Sequence, residues 1–295
     1  MLQKRLKEYS ALVEAGLDRL FPQEDCRHSR IFEACRYSLL AGGKHIRAAL
    51  LLEFYRLCGG KVEDALAFAC GLEMIHTYSL VHDDLPCMDN DDFRRGKPSN
   101  HKVYGETMAT LAGDALLNRA FEVMLEQETV PAACAMKAAA CISRCSGVYG
   151  MIGGQVMDML GEKTPLTKEK LYKMNRLKTG CLIKCACLFG LYAAENTTDV
   201  PEKLFEDAVK YADGIGVSFQ ITDDILDVCG DEKTFGKPIG SDAENGKTTF
   251  TTIYTVDEAR NIAKGLTDGA IDSIKNYSNS EKLISLAEFL LSRQS

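Results

Sequence analysis

EKLFEDAVKYADGIGVSFQITDDILDVC, residues 202–229, repeats apolar residues at three- and four-residue spacing and contains no proline, the period of an α-helix rather than a strand. Within it, Asp223 and Asp227 are four apart and share one helix face. A second acid-rich stretch, Val81-His82-Asp83-Asp84-Leu85-Pro86-Cys87-Met88-Asp89-Asn90-Asp91-Asp92, sets five acids in ten residues behind an apolar helical run. Charges packed this densely repel one another unless a cation lies among them. Pro86 disfavours helical geometry at Leu85 and predicts the end of that helix, which lets Asp89 fold back towards Asp83.

Outward from these stretches the helical period continues almost throughout, with no sustained β-branched alternation. It predicts helices at about 2–20, 28–40, 44–58, 62–84, 106–126, 132–160, 167–194, 202–229, 256–276 and 280–293. The breaks fall at Gly59-Gly60, Pro86, Pro98, Pro131, Pro165, Pro201 and the glycine-rich stretch 230–246. No linker, repeat or low-complexity segment divides the chain, so one domain over 1–295 is expected. Its 295 residues sit near the upper size of a single core, which calls for a large all-α bundle.

Hydrophobic residues at 46% and charged residues at 26% are proportions of an ordinary globular protein. A net charge of −7 argues against general nucleic-acid binding. The N-terminal MLQKRLKEYSALVEAGLDRLF alternates charged and apolar residues at helical spacing, and no run is expected to reach the apolar length of a membrane span. A soluble, cytoplasmic protein is therefore expected. Its twelve cysteines are expected as free thiols. Two groups of them, Cys141 with Cys145 and Cys181 with Cys185 and Cys187, lie in apolar helical stretches without a histidine at ligand spacing, and are read as small core residues rather than a metal site.

A single D-D-x-x-D stretch is also compatible with a solvated acidic loop. Two of them, about 140 residues apart on apolar helices, point to a shared counter-charge. Carboxylates at helix ends suit Mg²⁺, which takes one or two of them together with substrate phosphates and waters. Basic residues in glycine-rich contexts, Gly42-Gly43-Lys44-His45-Ile46-Arg47, Arg94-Arg95-Gly96-Lys97, Lys178-Thr179-Gly180 and Gly236-Lys237, offer partners for those phosphates.

With these motifs the chain resembles the trans-prenyltransferase (polyprenyl synthase) family, in its bacterial farnesyl diphosphate synthase type. The matching elements also include A-G-D-A-L-L at 112–117, G-G-Q-x-x-D at 153–158 and F-Q-x-x-D-D-I-L-D at 219–227. The resemblance implies an isoprenoid-synthase bundle around a deep central cavity, a homodimer, and condensation of isopentenyl diphosphate with dimethylallyl or geranyl diphosphate. It implies that Asp83, Asp84, Asp89, Asp223, Asp224 and Asp227 hold Mg²⁺, three ions per site, against the allylic diphosphate. Arg94, Lys178, Thr179, Gln220 and Lys237 would contact that substrate, with Asp83, Asp84, Asp89, Arg94, Lys178 and Asp223 carrying the catalysis. Isopentenyl diphosphate would bind at Lys44, Arg47, His76 and Arg95, while His82 and His101 are expected to be structural.

Product length is expected to follow from what blocks the cavity below the first acid motif. Ser79 lies four residues before Asp83, about 6 Å deeper on a helix, with Tyr78 beside it. By resemblance, an aromatic residue here marks farnesyl producers and small residues mark longer products. After Asp227 the chain departs from the family pattern, with Ser241 where a lysine is common and Thr248-Thr249-Phe250-Thr251-Thr252 after Lys247. Geranylgeranyl or geranyl diphosphate synthases are the alternatives within the reaction class. A terpene cyclase would not need the second set of basic residues, and a regulatory subunit would be expected to lose acids or basic contacts that are intact here.

Overall fold

Helices form here because apolar residues recur on one face or all round, and most of them end near the prolines and glycines that mark breaks in the sequence. The structure, a computed structural model, describes residues 2–195, 198–229 and 247–292, the side chains of residues 162 and 163 excepted. It is all-α apart from one two-residue hairpin among the described residues. The chain groups into two compact units, 1–139 with 192–197 and 140–191 with 198–295.

The first unit holds α1 (Leu2–Leu20), α2 (Ser29–Leu39), α3 (Ile46–Leu57), α4 (Leu66–Asp83), β1 (Phe93–Arg94), β2 (Lys97–Pro98), α5 (Asn100–Tyr104), α6 (Glu106–Glu126) and the first part of α7 (Ala132–Ser146). α4 is apolar almost all round and buried from Phe68 to Ile75, as expected of a central helix. It packs closely on α6 because Gly71 leaves room for Met124 and Gly113 for His82; a Cβ at Gly113 would lie 2.0 Å from the His82 ring. The predicted helix from 62 begins as a 3₁₀ turn, Val62–Ala65.

The second unit continues with the end of α7, α8 (Met151–Lys163), α9 (Lys168–Asn175), a π-helical turn (Arg176–Gly180), α10 (Cys181–Ala194) up to Leu191, α11 (Glu202–Cys229), α12 (Phe250–Ile253), α13 (Val256–Ile274) and α14 (Glu281–Ser292). Its core gathers Leu171, Met174, Val217, Ile221, Phe250 and Ala263. α11 lies against α13, where Ser218 and Thr267 share a hydrogen bond of 2.8 Å, and Thr255 and Glu258 close a capping box at the start of α13.

Three expectations need correction. The helix expected at 132–160 is two helices: the chain turns between Ser146 and Met151, where a Cβ at Gly150 would lie 1.9 Å from the Cys145 carbonyl oxygen; a turn this short leaves the helical period almost undisturbed. The hairpin at 93–98 was not expected, since two-residue strands show no alternation. Arg95 and Gly96, at φ 54° and 73°, supply the left-handed pair that a tight hairpin turn requires. Finally, Lys168–Ala194 is long and apolar enough to cross a membrane by length and composition, although 67% of its apolar window is buried inside the protein, as in a core helix.

Candidate active site

α4 ends at the first acid motif, and the chain then turns back on itself. The Leu85 N–H bonds the His82 carbonyl, the Met88 N–H bonds the Leu85 carbonyl, and the Asp89 N–H bonds the Asp83 carbonyl at 2.9 Å. Asn90, at φ 53°, completes the turn. The return of Asp89 to Asp83 follows from Pro86 as expected. Asp83 and Asp89 are half-buried, whereas Asp84 is buried. The Arg94 guanidinium donates to Asp84 Oδ1 through both Nε, at 2.9 Å, and Nη2, and through Nη2 to Asp91 Oδ2, also at 2.9 Å. Two acids thus hold Arg94 in place. Asp84, Arg94 and Arg95 line one cleft with Thr77, Leu80 and Val81.

The glycine-rich turn before α3 belongs to the same unit. Gly42 and His45 adopt φ 81° and 43°, and Glu73 anchors the turn from α4: its carboxylate accepts the His45 Nδ1–H at 2.8 Å and the Ala48 backbone N–H at 3.2 Å. Burial opposes charge on both groups, yet the pair holds the Glu73 carboxyl below its ordinary range and the His45 imidazole above its own. The Arg95 guanidinium donates to the Gly42 carbonyl, and a Cβ at Gly43 would meet it at 3.3 Å. Arg47 Nη1 lies 3.3 Å from His76 Nε2. Burial, then the charges of Arg47 and Arg95, hold His76 well below its ordinary range, so the neutral ring accepts from Arg47. Arg47, His76 and Arg95 are therefore neighbours, and Lys44 lies in the exposed turn beside them.

Tyr78 is buried, its ring edge-on to His82 at 5.8 Å between centroids. Its hydroxyl is without a hydrogen-bond partner among the described residues. Burial, then Asp83, raises its phenol to about 12. Ser79 donates to the His76 carbonyl at 2.8 Å. His82 is fixed by the Thr110 carbonyl at 3.0 Å, and buried His101 by Ser99 Oγ at 3.0 Å. His101 Nε2 has no hydrogen-bond partner among the described residues.

In the second unit, Asp223 and Asp227 lie one turn apart on α11, Asp223 half-buried and Asp227 buried. Asp224 is buried with protein donors on both oxygens, Gln220 Nε2 at 3.2 Å and the Phe250 N–H at 2.7 Å. Gln220 in turn accepts from Thr179 Oγ1 at 3.2 Å. Lys178 Nζ lies 2.6 Å from Asp158 Oδ2. Lys178 and Thr179 occupy the π-helical turn, a bulge often found at functional sites. Glycines hold that turn close: a Cβ at Gly154 would meet the Lys178 backbone nitrogen at 2.2 Å, and one at Gly216 the Gly180 Cα at 3.2 Å. Lys237 and Ser241 lie outside the described residues.

Both acid clusters offer hard carboxylate oxygens at helix ends, a donor set that fits Mg²⁺. Sequence reasoning missed Glu73, Asp91 and Asp158. Glu73 could have been found as the lone acid inside an apolar helix, and Asp158 as the acid of G-G-Q-x-x-D, whereas nothing local marks Asp91 as the partner of Arg94.

The family model described as Polyprenyl synthetase matches residues 28–286. A geranylgeranyl diphosphate synthase of Cyanophora paradoxa is 42% identical over 98% of this chain and 95% of its own length. A farnesyl diphosphate synthase of Geobacillus stearothermophilus is 41% identical over 88% of this chain and 86% of its own. The crystal structure of a Helicobacter pylori geranyltransferase, complexed with magnesium and isoprenyl diphosphate, superimposes with a TM-score of 0.85 at 30% identity, covering 98% of each chain.

Proposed function

The chain belongs to the polyprenyl synthetase family and has its all-α isoprenoid-synthase fold, and from that premise we propose that it condenses isopentenyl diphosphate with dimethylallyl and then geranyl diphosphate to give farnesyl diphosphate. Prenyl diphosphate synthesis is the activity of the family; the farnesyl product, the residue roles and the single domain over 1–295 are the proposal. The observation that carries it is that each acid motif has beside it a cation held by neighbouring acids, Arg94 by Asp84 and Asp91, and Lys178 by Asp158. Such cations are oriented before a substrate arrives, which favours charge stabilisation in the transition state.

Of the six acids assigned to Mg²⁺ by resemblance, Asp83, Asp89, Asp223 and Asp227 would hold the ions. Asp84 and Asp224, already engaged by Arg94 and by Gln220 with the Phe250 N–H, would position those partners. Bound Mg²⁺ supplies positive charge to the departing diphosphate. Arg94, Lys178, Thr179 and Gln220 would contact the allylic diphosphate, with Lys237 proposed for the same task. Lys44, Arg47, His76 and Arg95 would bind the diphosphate of isopentenyl diphosphate, neutral His76 fixing the Arg47 guanidinium. The allylic carbon–oxygen bond breaks, the double bond of isopentenyl diphosphate attacks the cation, and the released diphosphate takes the proton. Apolar surroundings exclude water, which would otherwise quench the cation to an alcohol.

The length of the product is proposed to end at Tyr78, buried on α4 with Ser79 one helical turn before Asp83. A geranylgeranyl product is the second reading, favoured by the relative from Cyanophora paradoxa. The enzyme is proposed to work in the cytoplasm as a homodimer. Exposed Val148, Tyr149, Ile152, Val156, Met159 and Leu160 support an apolar interface, which sedimentation would test. Chromatography of the dephosphorylated products of the wild type and Tyr78→Ala tests the chain-length reading. Farnesol from the wild type and geranylgeraniol or longer from the variant are expected; the same length from both would remove Tyr78 from that role.

A further inference from the structure

Three cysteines converge from α7 and α10. Cys141 and Cys145 share one face of α7, and Cys181 and Cys185 one face of α10. The sulfurs of Cys141, Cys145 and Cys185 all lie within 4.8 Å of one another, Cys141 and Cys185 at 3.9 Å. Cys181, one turn before Cys185 on α10, lies outside this group. In a tetrahedral thiolate site with metal–sulfur bonds of about 2.3 Å, sulfurs sit roughly 3.8 Å apart. The sequence places Cys141 with Cys145 and Cys185 with Cys181 and Cys187 as separate groups of core residues; the fold brings Cys185 to the first group.

We propose that Cys141, Cys145 and Cys185 form a three-thiolate site for a thiophilic ion of the Zn²⁺ class, its fourth position left to solvent, separate from the carboxylates assigned to Mg²⁺. Cysteines that merely fill the core look different in this protein. Cys35 donates to the Ala112 carbonyl and Cys70 to the Val13 carbonyl, whereas these thiols meet one another. Soft sulfur ligands select Zn²⁺ or Cu⁺ over Mg²⁺. Cys145, Cys181 and Cys185 are buried and Cys141 half-buried, and Cys181 lines an open cleft with Lys184 and Asp213, which gives an ion a way in. Each thiol that binds releases its proton to solvent, and the nearby Lys184 ammonium, which favours negative charge on Cys141, offsets part of the charge of three thiolates. Cys181 directly follows the π-helical turn with Lys178 and Thr179, so the ion would tie that turn's helix to α7.

The test is titration of the reduced full-length protein with Zn²⁺ alone and with Co²⁺ alone, followed by metal analysis after gel filtration. One equivalent of Zn²⁺ per chain is expected, with sulfur-to-cobalt charge-transfer absorption for Co²⁺. Zn²⁺ should also block alkylation of Cys141 in the wild type, a readout that needs no variant. Cys141→Ser and Cys185→Ser should each weaken binding about a hundredfold or more, while Cys35→Ser should not. Sub-stoichiometric Zn²⁺, binding that survives both serine variants, or a reduced protein that ignores Zn²⁺ and forms a Cys141–Cys185 disulfide in air would each overturn the proposal.

Discussion

Asp84 and Asp224 are each the second acid of their motif, and both are buried against protein donors while the acids before them remain half-buried. Their equivalence suggests a division of labour that single substitutions can separate. Asp84→Asn keeps the shape but removes the charge that holds Arg94, and is expected to lower kcat about tenfold to a hundredfold. Steady-state kinetics with geranyl diphosphate would check it, and an unchanged kcat would deny Arg94 its role at the leaving group. The buried His45–Glu73 pair makes a different prediction, about stability. The raised His45 stabilises the fold fully below its ordinary pKa of 6.5, and that contribution fades as pH rises through the raised folded value. The lowered Glu73 contributes above its ordinary 4.5 and fades as pH falls through its folded value. Arg95 opposes the His45 charge, and Glu14 favours it. Glu73→Gln is therefore expected to cost about 3 kcal/mol, most between about pH 4.5 and 6.5 and less in alkali. Urea denaturation across pH would measure it, and a cost that grows above pH 7 would contradict the pairing.

At the level of elements, Gly154 decides how close α8 comes to the turn that carries Lys178 and Thr179. A Cβ there would lie 2.2 Å from the Lys178 backbone nitrogen, so Gly154→Ala must push the two apart. A loss of roughly 1–3 kcal/mol and a rise in KM for the allylic substrate are expected from thermal melts and kinetics; a variant with wild-type KM would show that the approach is not needed. The same glycine illustrates what could be read in advance. α1, α2, α6 and α11 were legible because burial of one helix side writes a period into the sequence, and Pro86 announced the return of Asp89. The break at Gly150 and the 93–98 hairpin were not legible because both are short local turns that hardly interrupt the period, and the π-helical turn was not because it depends on the approach of Gly154 and Gly216. The motif residues Lys178, Thr179 and Gln220 were found, but their partner Asp158 was noticed only as a letter in G-G-Q-x-x-D. The approach of Cys185 to Cys141 and Cys145 was hidden because it depends on how α10 lies against α7.

For the whole molecule, the family match runs from 28 to 286 through both compact units, and the acids, basic residues and chain-length residue of the proposal are drawn from both. The account therefore requires catalysis by the intact chain, and it requires Mg²⁺, because the carboxylates assigned to it would otherwise repel the substrate they are meant to hold. The most direct measurement is incubation of the purified protein with isopentenyl and dimethylallyl diphosphate, with Mg²⁺ or with a chelator, followed by chromatography of the dephosphorylated products. The account predicts farnesol with Mg²⁺ and no condensation with the chelator. Condensation that persists without a divalent ion, or none with Mg²⁺ beside an active control enzyme, would contradict it.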